Sequence, residues 1–314
     1  METIHDLAAL PPLPKGAVVT IGNFDGVHLA HAQLLQRVVE VADRGTRTPA
    51  VITFDPHPIR VLAPERAPQL LTSLAERARL IEQRGIKLLV VLRFTRELAH
   101  FSPEEFVRQI LVARLSAACV IVGPNFRFGY RQAGDVHTLA ELGRRNGFSV
   151  ELLSSVQMRG QPVSSTRIRN LLSEGKVNAA ARLLGRPFSN SGPIVSGLGI
   201  GHRHTVPTLN LSPVEEQLPA IGVYVTRTRL GEASHESVTN VGRRPTFGER
   251  HITVETYLLN FKGEVREAQM SVEYLYRLRD EIKFQNPALL KIQIQEDARR
   301  SLKFFRLLGK TGRS

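Results

Sequence analysis

The stretch Ala17-Val18-Val19-Thr20-Ile21-Gly22-Asn23-Phe24-Asp25-Gly26-Val27-His28-Leu29-Ala30-His31 decides how the first half of the chain folds. Its first five residues form a strand-sized apolar run, and from residue 28 to 42 apolar residues return at helical spacing. A strand passing through a glycine-bearing turn into a helix opens a βα unit. Two glycines let the backbone approach a ligand closely, and the helix start points its unpaired N–H groups at whatever sits there.

Working outward, strand-sized runs at 50–54, 87–94, 119–123 and 149–153 alternate with helical patterns at 74–84, 103–115 and 138–146. Strands apolar throughout and separated by helices predict a parallel sheet covered on both faces, with ligands beyond the carboxyl ends of the strands. A helical stretch runs from 166 to about 184, and then the pattern changes. Between 186 and 270 short β-like runs are punctuated by glycine and proline, which predicts a small antiparallel barrel or sandwich. Asn286-Pro287 opens a closing helix over 286–308 as N-cap and first-turn proline. The domain boundary is placed near Gly185, giving domains 1–185 and 186–314.

At 314 residues two cores are the better expectation than one, and 42% hydrophobic residues leave no room for wholesale disorder. No apolar run approaches the roughly 20 residues of a membrane span. The start, Met1-Glu2-Thr3-Ile4-His5-Asp6, lacks the pattern of a secretory signal, and the single Cys119 lies in an apolar run. A cytoplasmic protein is expected. The net charge of +13 favours anionic partners. Dispersed arginines and 6% aromatics argue against nucleic acid and for phosphorylated small molecules. Oligomeric state leaves no signature in the sequence.

His28 and His31 share one face of the first helical turn, placed to donate hydrogen bonds to an α-phosphate as charge grows on it. Plainer readings are one capping and one core histidine, or two ligands of a metal. Val163-Ser164-Ser165-Thr166-Arg167-Ile168-Arg169 joins hydroxyls, a helix start and arginines, the components that grip phosphates, or else a cap followed by solvated arginines. In the second half, Thr208 and Asn210 are two apart in an extended segment and face the same side, which suits Mg²⁺ that also touches ATP phosphates. Glu255, among β-like residues, could accept the proton of a hydroxyl attacking a γ-phosphate. A strand-edge Thr/Asn pair and a solvent-facing glutamate are the alternatives.

These segments together resemble the bacterial bifunctional riboflavin kinase/FMN adenylyltransferases over essentially the whole chain. Gly22 to His31 looks like that family's GNFDGVHxGH segment, a variant of the HxGH motif of nucleotidylyl transferases, with Ala30 in place of a glycine. Phe54-Asp55-Pro56-His57-Pro58 resembles its F-x-P-H-P loop. Gly123-Pro124-Asn125-Phe126-Arg127-Phe128-Gly129 resembles its flavin-side loop, and Ser164 to Arg169 its SSTxIR segment. Farther on, Gly185-Arg186-Pro187-Phe188, Pro207-Thr208-Leu209-Asn210, Gly222-Val223-Tyr224, Asn240 to Phe247, Glu255 and Leu278 to Phe284 are similar to its kinase motifs.

The resemblance implies a Rossmann-like nucleotidylyl transferase domain followed by a six-stranded Greek-key barrel with a terminal helix. It implies that His28 and His31 stabilise the reacting phosphate, while Gly22, Asn23, Phe24, Asp25, Gly26, Ser164, Thr166 and Arg169 bind ATP. By the same token Phe54, His57, Asn125, Phe126 and Arg279 serve the flavin, Thr208 and Asn210 hold Mg-ATP, and Glu255 is the base. Riboflavin would become FMN, and FMN would become FAD. The run Ile200 to Val206, expected to cover the nucleotide, departs from the family's basic, glycine-rich loop, and Asn260 stands for its aspartate. That departure motivates an alternative, an adenylyltransferase whose second half only binds flavin. A non-catalytic binding protein is the other class.

Overall fold

The computed structural model describes residues 1–10, 13–195, 208–245 and 250–311, so the run 200–206 and residues 207, 246 and 247 of the quoted motifs lie outside the described residues. The chain divides into two compact units, Met1–Ser165 and Thr166–Ser314.

In the first unit, strands β1 (Glu2–Ile4), β2 (Ala17–Ile21), β3 (Thr48–Asp55), β4 (Leu88–Arg93), β5 (Ala117–Val122) and β6 (Ser149–Leu152) form one parallel sheet of order β1-β4-β3-β2-β5-β6. Successive residues of a strand point to opposite faces. Ala17, Val19 and Ile21 of β2 therefore join one core with Ile52, Val90 and Val122. Val18 joins the other with Val51, Leu89 and Ile121. Both faces are buried, which is why the strands read as apolar throughout. Helices α1 (Leu29–Arg44), α2 (Pro58–Leu62), α3 (Leu74–Glu82), α4 (Arg96–Ala99), α5 (Pro103–Phe106) and α6 (Val136–Asn146) complete the layers, with a small hairpin of β7 (Gln157–Met158) and β8 (Gln161–Pro162). The helix expected over 103–115 opens as α5 but continues as a π-helix over Val107–Val112. There the Ala113 N–H reaches back to the Arg108 carbonyl.

The second unit opens with α7 (Ser165–Ser173) and α8 (Val177–Leu184), the former beginning one residue before the division. Strands β9 (Phe188–Val195), β10 (Leu209–Leu211), β11 (Gly222–Leu230), β12 (Ala233–Pro245), β13 (Arg250–Leu258) and β14 (Gln269–Arg279) close into an antiparallel barrel of order β10-β13-β12-β11-β14-β9. Its inside is partly polar. Thr226, Thr228, Ser237, Thr239 and Thr256 are all fully buried and satisfy one another's hydroxyls at 2.7–2.9 Å. The terminal helix α9 (Pro287–Thr311) lays Phe305, Leu302 and Ala298 over Val223, Val225, Val238 and Leu259.

Candidate active sites

A parallel sheet offers its ligand crevice where the strand order reverses. Here that point lies between β2 and β5, so the segments after Ile21 and after Val122 flank it. Gly26 adopts a φ of +83°, and a side chain at Gly22 would press on the Phe24 ring at 3.3 Å. Phe24 and Val27 also hold positive φ, 50° and 38°, a region unfavourable to side chains and most of all to a β-branched one. Each is held there by a side chain only 1% exposed. Asp25 is buried as well. Its carboxylate accepts the N–H groups of Leu71 at 2.9 Å and Thr72 at 3.2 Å, and the Gly26 N–H donates to Thr72 Oγ1 at 3.1 Å. Phe24 and Asp25 thus turn inward and set the shape of the turn.

His28 is the N-cap of α1, its Nδ1 accepting the His31 N–H at 3.4 Å. With Nδ1 an acceptor, a neutral ring carries its proton on Nε2 and keeps a donor there. The capping and phosphate-donor readings are therefore compatible in one residue. The His31 ring stacks on that of His28, 3.7 Å between centroids and 12° from parallel, with Phe24 at 5.0 Å. Burial of its ring, then His28, then Arg77 hold His31 well below the ordinary 6.5, so it is neutral at pH 7.

At the end of β3, Phe54 packs edge-on against Phe94 at 5.6 Å, and beyond the strand the buried His57 caps α2 through the Ile59 N–H. Beyond β5, Asn125 is exposed, while Phe126 stacks on Phe128 at 5.4 Å. Ser165 Oγ donates to the Asp25 carbonyl at 2.8 Å, tying the end of the first unit to the turn after β2. Thr166 and Arg169 lie on the part of α7 that belongs to the second unit.

In the barrel, Glu255 on β13 pairs in register with Asn210 on β10 and with Asn240 on β12. Residues directly opposite in an antiparallel ladder share a face, so two amides flank the carboxylate. Asn210 is 7% exposed, Glu255 and Asn240 are half-buried, and Thr208 immediately precedes β10. A side chain at Gly242 would collide with Glu281 Oε1 and Asn240 Nδ2, so the Glu281 carboxylate closes on the same row. Sequence reading gave Asn240 and Glu281 no individual role. Arg279 donates from Nε at 3.1 Å and from Nη2 at 2.7 Å to Asp297 of α9, itself 2% exposed. It anchors the terminal helix to β14.

Two family models match the chain, FAD synthetase over residues 10–167 and riboflavin kinase over residues 184–305. The bifunctional riboflavin kinase/FMN adenylyltransferase of Pseudomonas fluorescens is 35% identical over 298 residues, covering 95% of this chain and 96% of that protein. That of Escherichia coli K12 is 33% identical over 305 residues, covering 97% of each. The chain belongs to the bifunctional riboflavin kinase/FMN adenylyltransferases. As a member of that family it is an enzyme that uses ATP to convert riboflavin to FMN and FMN to FAD. A solved structure from Streptococcus pneumoniae, titled a macrolide-efflux protein, superposes with a TM-score of 0.86 at 26% identity, covering 96% of this chain and 98% of that one. Among the described residues here no helix is long and apolar enough to cross a membrane.

Proposed function

We propose that the two steps are divided between the two units, adenylyl transfer at the β2–β5 crevice and phosphorylation at the Asn210–Glu255–Asn240 row. The observation that supports this division is that His28 and His31 fall in the first unit, while Thr208, Asn210 and Glu255 fall in the second. In the second unit Glu255 takes the proton of the riboflavin 5′-hydroxyl as its oxygen attacks the γ-phosphorus, and ADP leaves. Thr208 and Asn210 offer neutral, hard oxygen donors, which fit a cation that brings its counter-charge with it as ATP phosphates. Among the described residues no cluster of three His, Cys, Asp or Glu offers a cage of protein charge. Thr208 and Asn210 would hold Mg²⁺, which when bound neutralises charge on the transferring phosphoryl group.

In the first unit an FMN phosphate oxygen attacks the ATP α-phosphorus and pyrophosphate leaves. The imidazole N–H groups of His28 and His31 donate to the α-phosphate oxygens, where charge accumulates. The turn from Gly22 through Asn23, Phe24 and Asp25 to Gly26 shapes the nucleotide's seat. Ser164 takes the departing phosphates, and Phe54, His57, Asn125 and Phe126 position FMN. Arg279 assists the flavin of the other step from its anchor on Asp297. The enzyme acts on nucleotides and flavins in the cytoplasm, with no nucleic-acid role. Supplying riboflavin, Mg²⁺ and ATP to His28→Ala should leave FMN accumulating without FAD, while Glu255→Gln should make FAD only from supplied FMN. Folded variants that each lose both steps would overturn the division.

A further inference from the structure

The turn that follows β2 is held in a backbone form that its own side chains resist. Phe24, Gly26 and Val27 take φ of 50°, 83° and 38°, and two of the three carry a Cβ. Such geometry persists only where the surroundings over-determine it. Part of the restraint comes from the turn and the neighbouring strand. The Val27 N–H donates to the Phe24 carbonyl at 3.1 Å, and the Gly22 N–H to the Ile52 carbonyl of β3 at 3.0 Å. Thr53 Oγ1 of β3 donates to the Asn23 carbonyl at 3.2 Å, and Nη1 of the buried Arg77 donates to that hydroxyl at 3.4 Å. The remaining restraint comes from Leu71-Thr72-Ser73, the lead-in to α3. Ser73 caps that helix by accepting the Glu76 N–H at 3.2 Å, whereas Thr72 faces the turn.

Thr72 is 6% exposed and is bonded to the turn in both directions. Its Oγ1 accepts the Gly26 N–H at 3.1 Å. Its own N–H donates to Asp25 Oδ1 at 3.2 Å, and its hydroxyl donates to the same oxygen at 3.4 Å. The Leu71 N–H reaches both oxygens of that carboxylate, at 2.9 and 3.1 Å. The carboxylate thus clamps residues 71 and 72, and the hydroxyl clamps Gly26 in return. Closing this ring takes an atom that both accepts and donates, which a hydroxyl is and a methyl of the same size is not. Gly26 stands two residues before His28, the N-cap of α1, and the His31 ring stacks on that of His28 at 3.7 Å. Displacing Gly26 therefore shifts the start of α1 and both imidazoles with it. A misplacement of about 1 Å can cost about 10²-fold in rate even when its cause lies away from the chemistry. Donors aimed at developing charge feel it most, because their bonds count in the transition state rather than in the ground state.

We propose that Thr72 is a positioning residue for adenylyl transfer, its hydroxyl pinning Gly26 and so aiming the imidazoles of His28 and His31. It rests on the reading of those histidines as phosphate donors. The test uses the full chain with Thr72→Val, which keeps the shape and loses the hydroxyl, and Thr72→Ser, which keeps the hydroxyl. Thr72→Ala replaces the valine variant if that one does not fold. FAD formation from FMN and ATP is measured at a temperature where circular dichroism shows each variant folded. Thr72→Val should lower kcat by roughly 10- to 10²-fold and change KM for ATP much less. Thr72→Ser should retain most of the parent kcat, and riboflavin phosphorylation should be unchanged in every variant. In a His28→Ala background the same loss of hydroxyl should cost far less than in the parent, because residues that act as a unit do not add. An unchanged kcat in the folded variant without the hydroxyl, an equal loss in Thr72→Ser, or fully additive losses in the cycle overturns the proposal. Parent-level FAD formation by His28→Ala and His31→Ala would instead sink the donor reading, and the single histidine variants tell that failure apart from the others.

Discussion

Glu255, the proposed base, stands between two amides, neither of which can take a proton from a hydroxyl. Glu255→Gln keeps the shape of the row and removes the proposed base. FMN formation should fall by about 10²- to 10⁴-fold, the usual contribution of general-base catalysis. Mg-ATP binding and adenylylation of supplied FMN should change little, and near-normal kinase turnover would show that Glu255 is structural. For the stacked histidines, His28→Ala or His31→Ala should each lower FAD formation by roughly 10²-fold or more, the scale for losing one such donor, measured as FAD from FMN and ATP. His31 also links stability to pH. Because its proton affinity is lowered in the folded chain, the unfolded chain binds more protons just below 6.5. That contribution is complete above 6.5 and lost as pH falls, so His31→Gln should flatten the acid side of a melting-temperature profile. That His28 and His31 share the start of a helix and that Glu255 lies in a strand was legible, because spacing and setting read directly from the sequence. Arg77 was not read in the sequence as buried, although it stands with Leu80 and Ile81 on the inward stripe of α3. A charged residue on such a stripe is a buried charge in waiting, but one helix face read alone gives it no partner.

Among elements, the barrel shows why short strands hide. β10 has three residues, too few for a period of two to declare itself. β14 does alternate, with Met270, Val272 and Tyr274 buried, yet Leu275 and Leu278 pack on the opposite side against the layer under α9. Apolar residues on both sides blur its pattern. The π-helical turn was illegible for a related reason. It brings Phe106, Val107, Ile110, Leu111 and Leu115 to one core at spacings close enough to an α-helix that nothing in the sequence separates the two. Polar residues inside the barrel likewise read as solvent-facing, although Thr226 joins Ser237 and Thr239 in the buried hydroxyl chain. Thr226→Val keeps the volume and leaves both partners short of a bond, so it should destabilise the barrel by about 1–3 kcal/mol, read as a lower denaturation midpoint at unchanged slope. Tyr274 provides the contrasting case, because its buried hydroxyl has no partner among the described residues. Tyr274→Phe should be neutral or raise the melting temperature.

For the whole molecule, the question is where the chain can be cut so that the kinase survives alone. The sequence suggested Gly185, since the β-like pattern starts there, and the riboflavin kinase model begins at residue 184. Contacts divide the chain earlier, between Ser165 and Thr166. The difference is α7 and α8. Helix α8 buries Val177, Ala180, Leu183 and Leu184 to 1% exposure or less and packs against β9 and β14. The Leu172 carbonyl of α7 accepts the Ala220 N–H at 2.8 Å, in the connection leading into β11. Each fully buried valine or leucine is worth about 1.5–3 kcal/mol, so removing α8 subtracts an amount comparable to the roughly 5–15 kcal/mol that keeps an ordinary domain folded. A fragment spanning 166–314 should therefore be soluble, melt cooperatively and phosphorylate riboflavin at close to the full-length rate. A fragment spanning 186–314 exposes the apolar side of β9 and β14 and should melt lower or aggregate. Calorimetry and FMN formation on both fragments check this. Equal stability and turnover in the two would mean that α7 and α8 are a linker and that the kinase begins at the barrel itself.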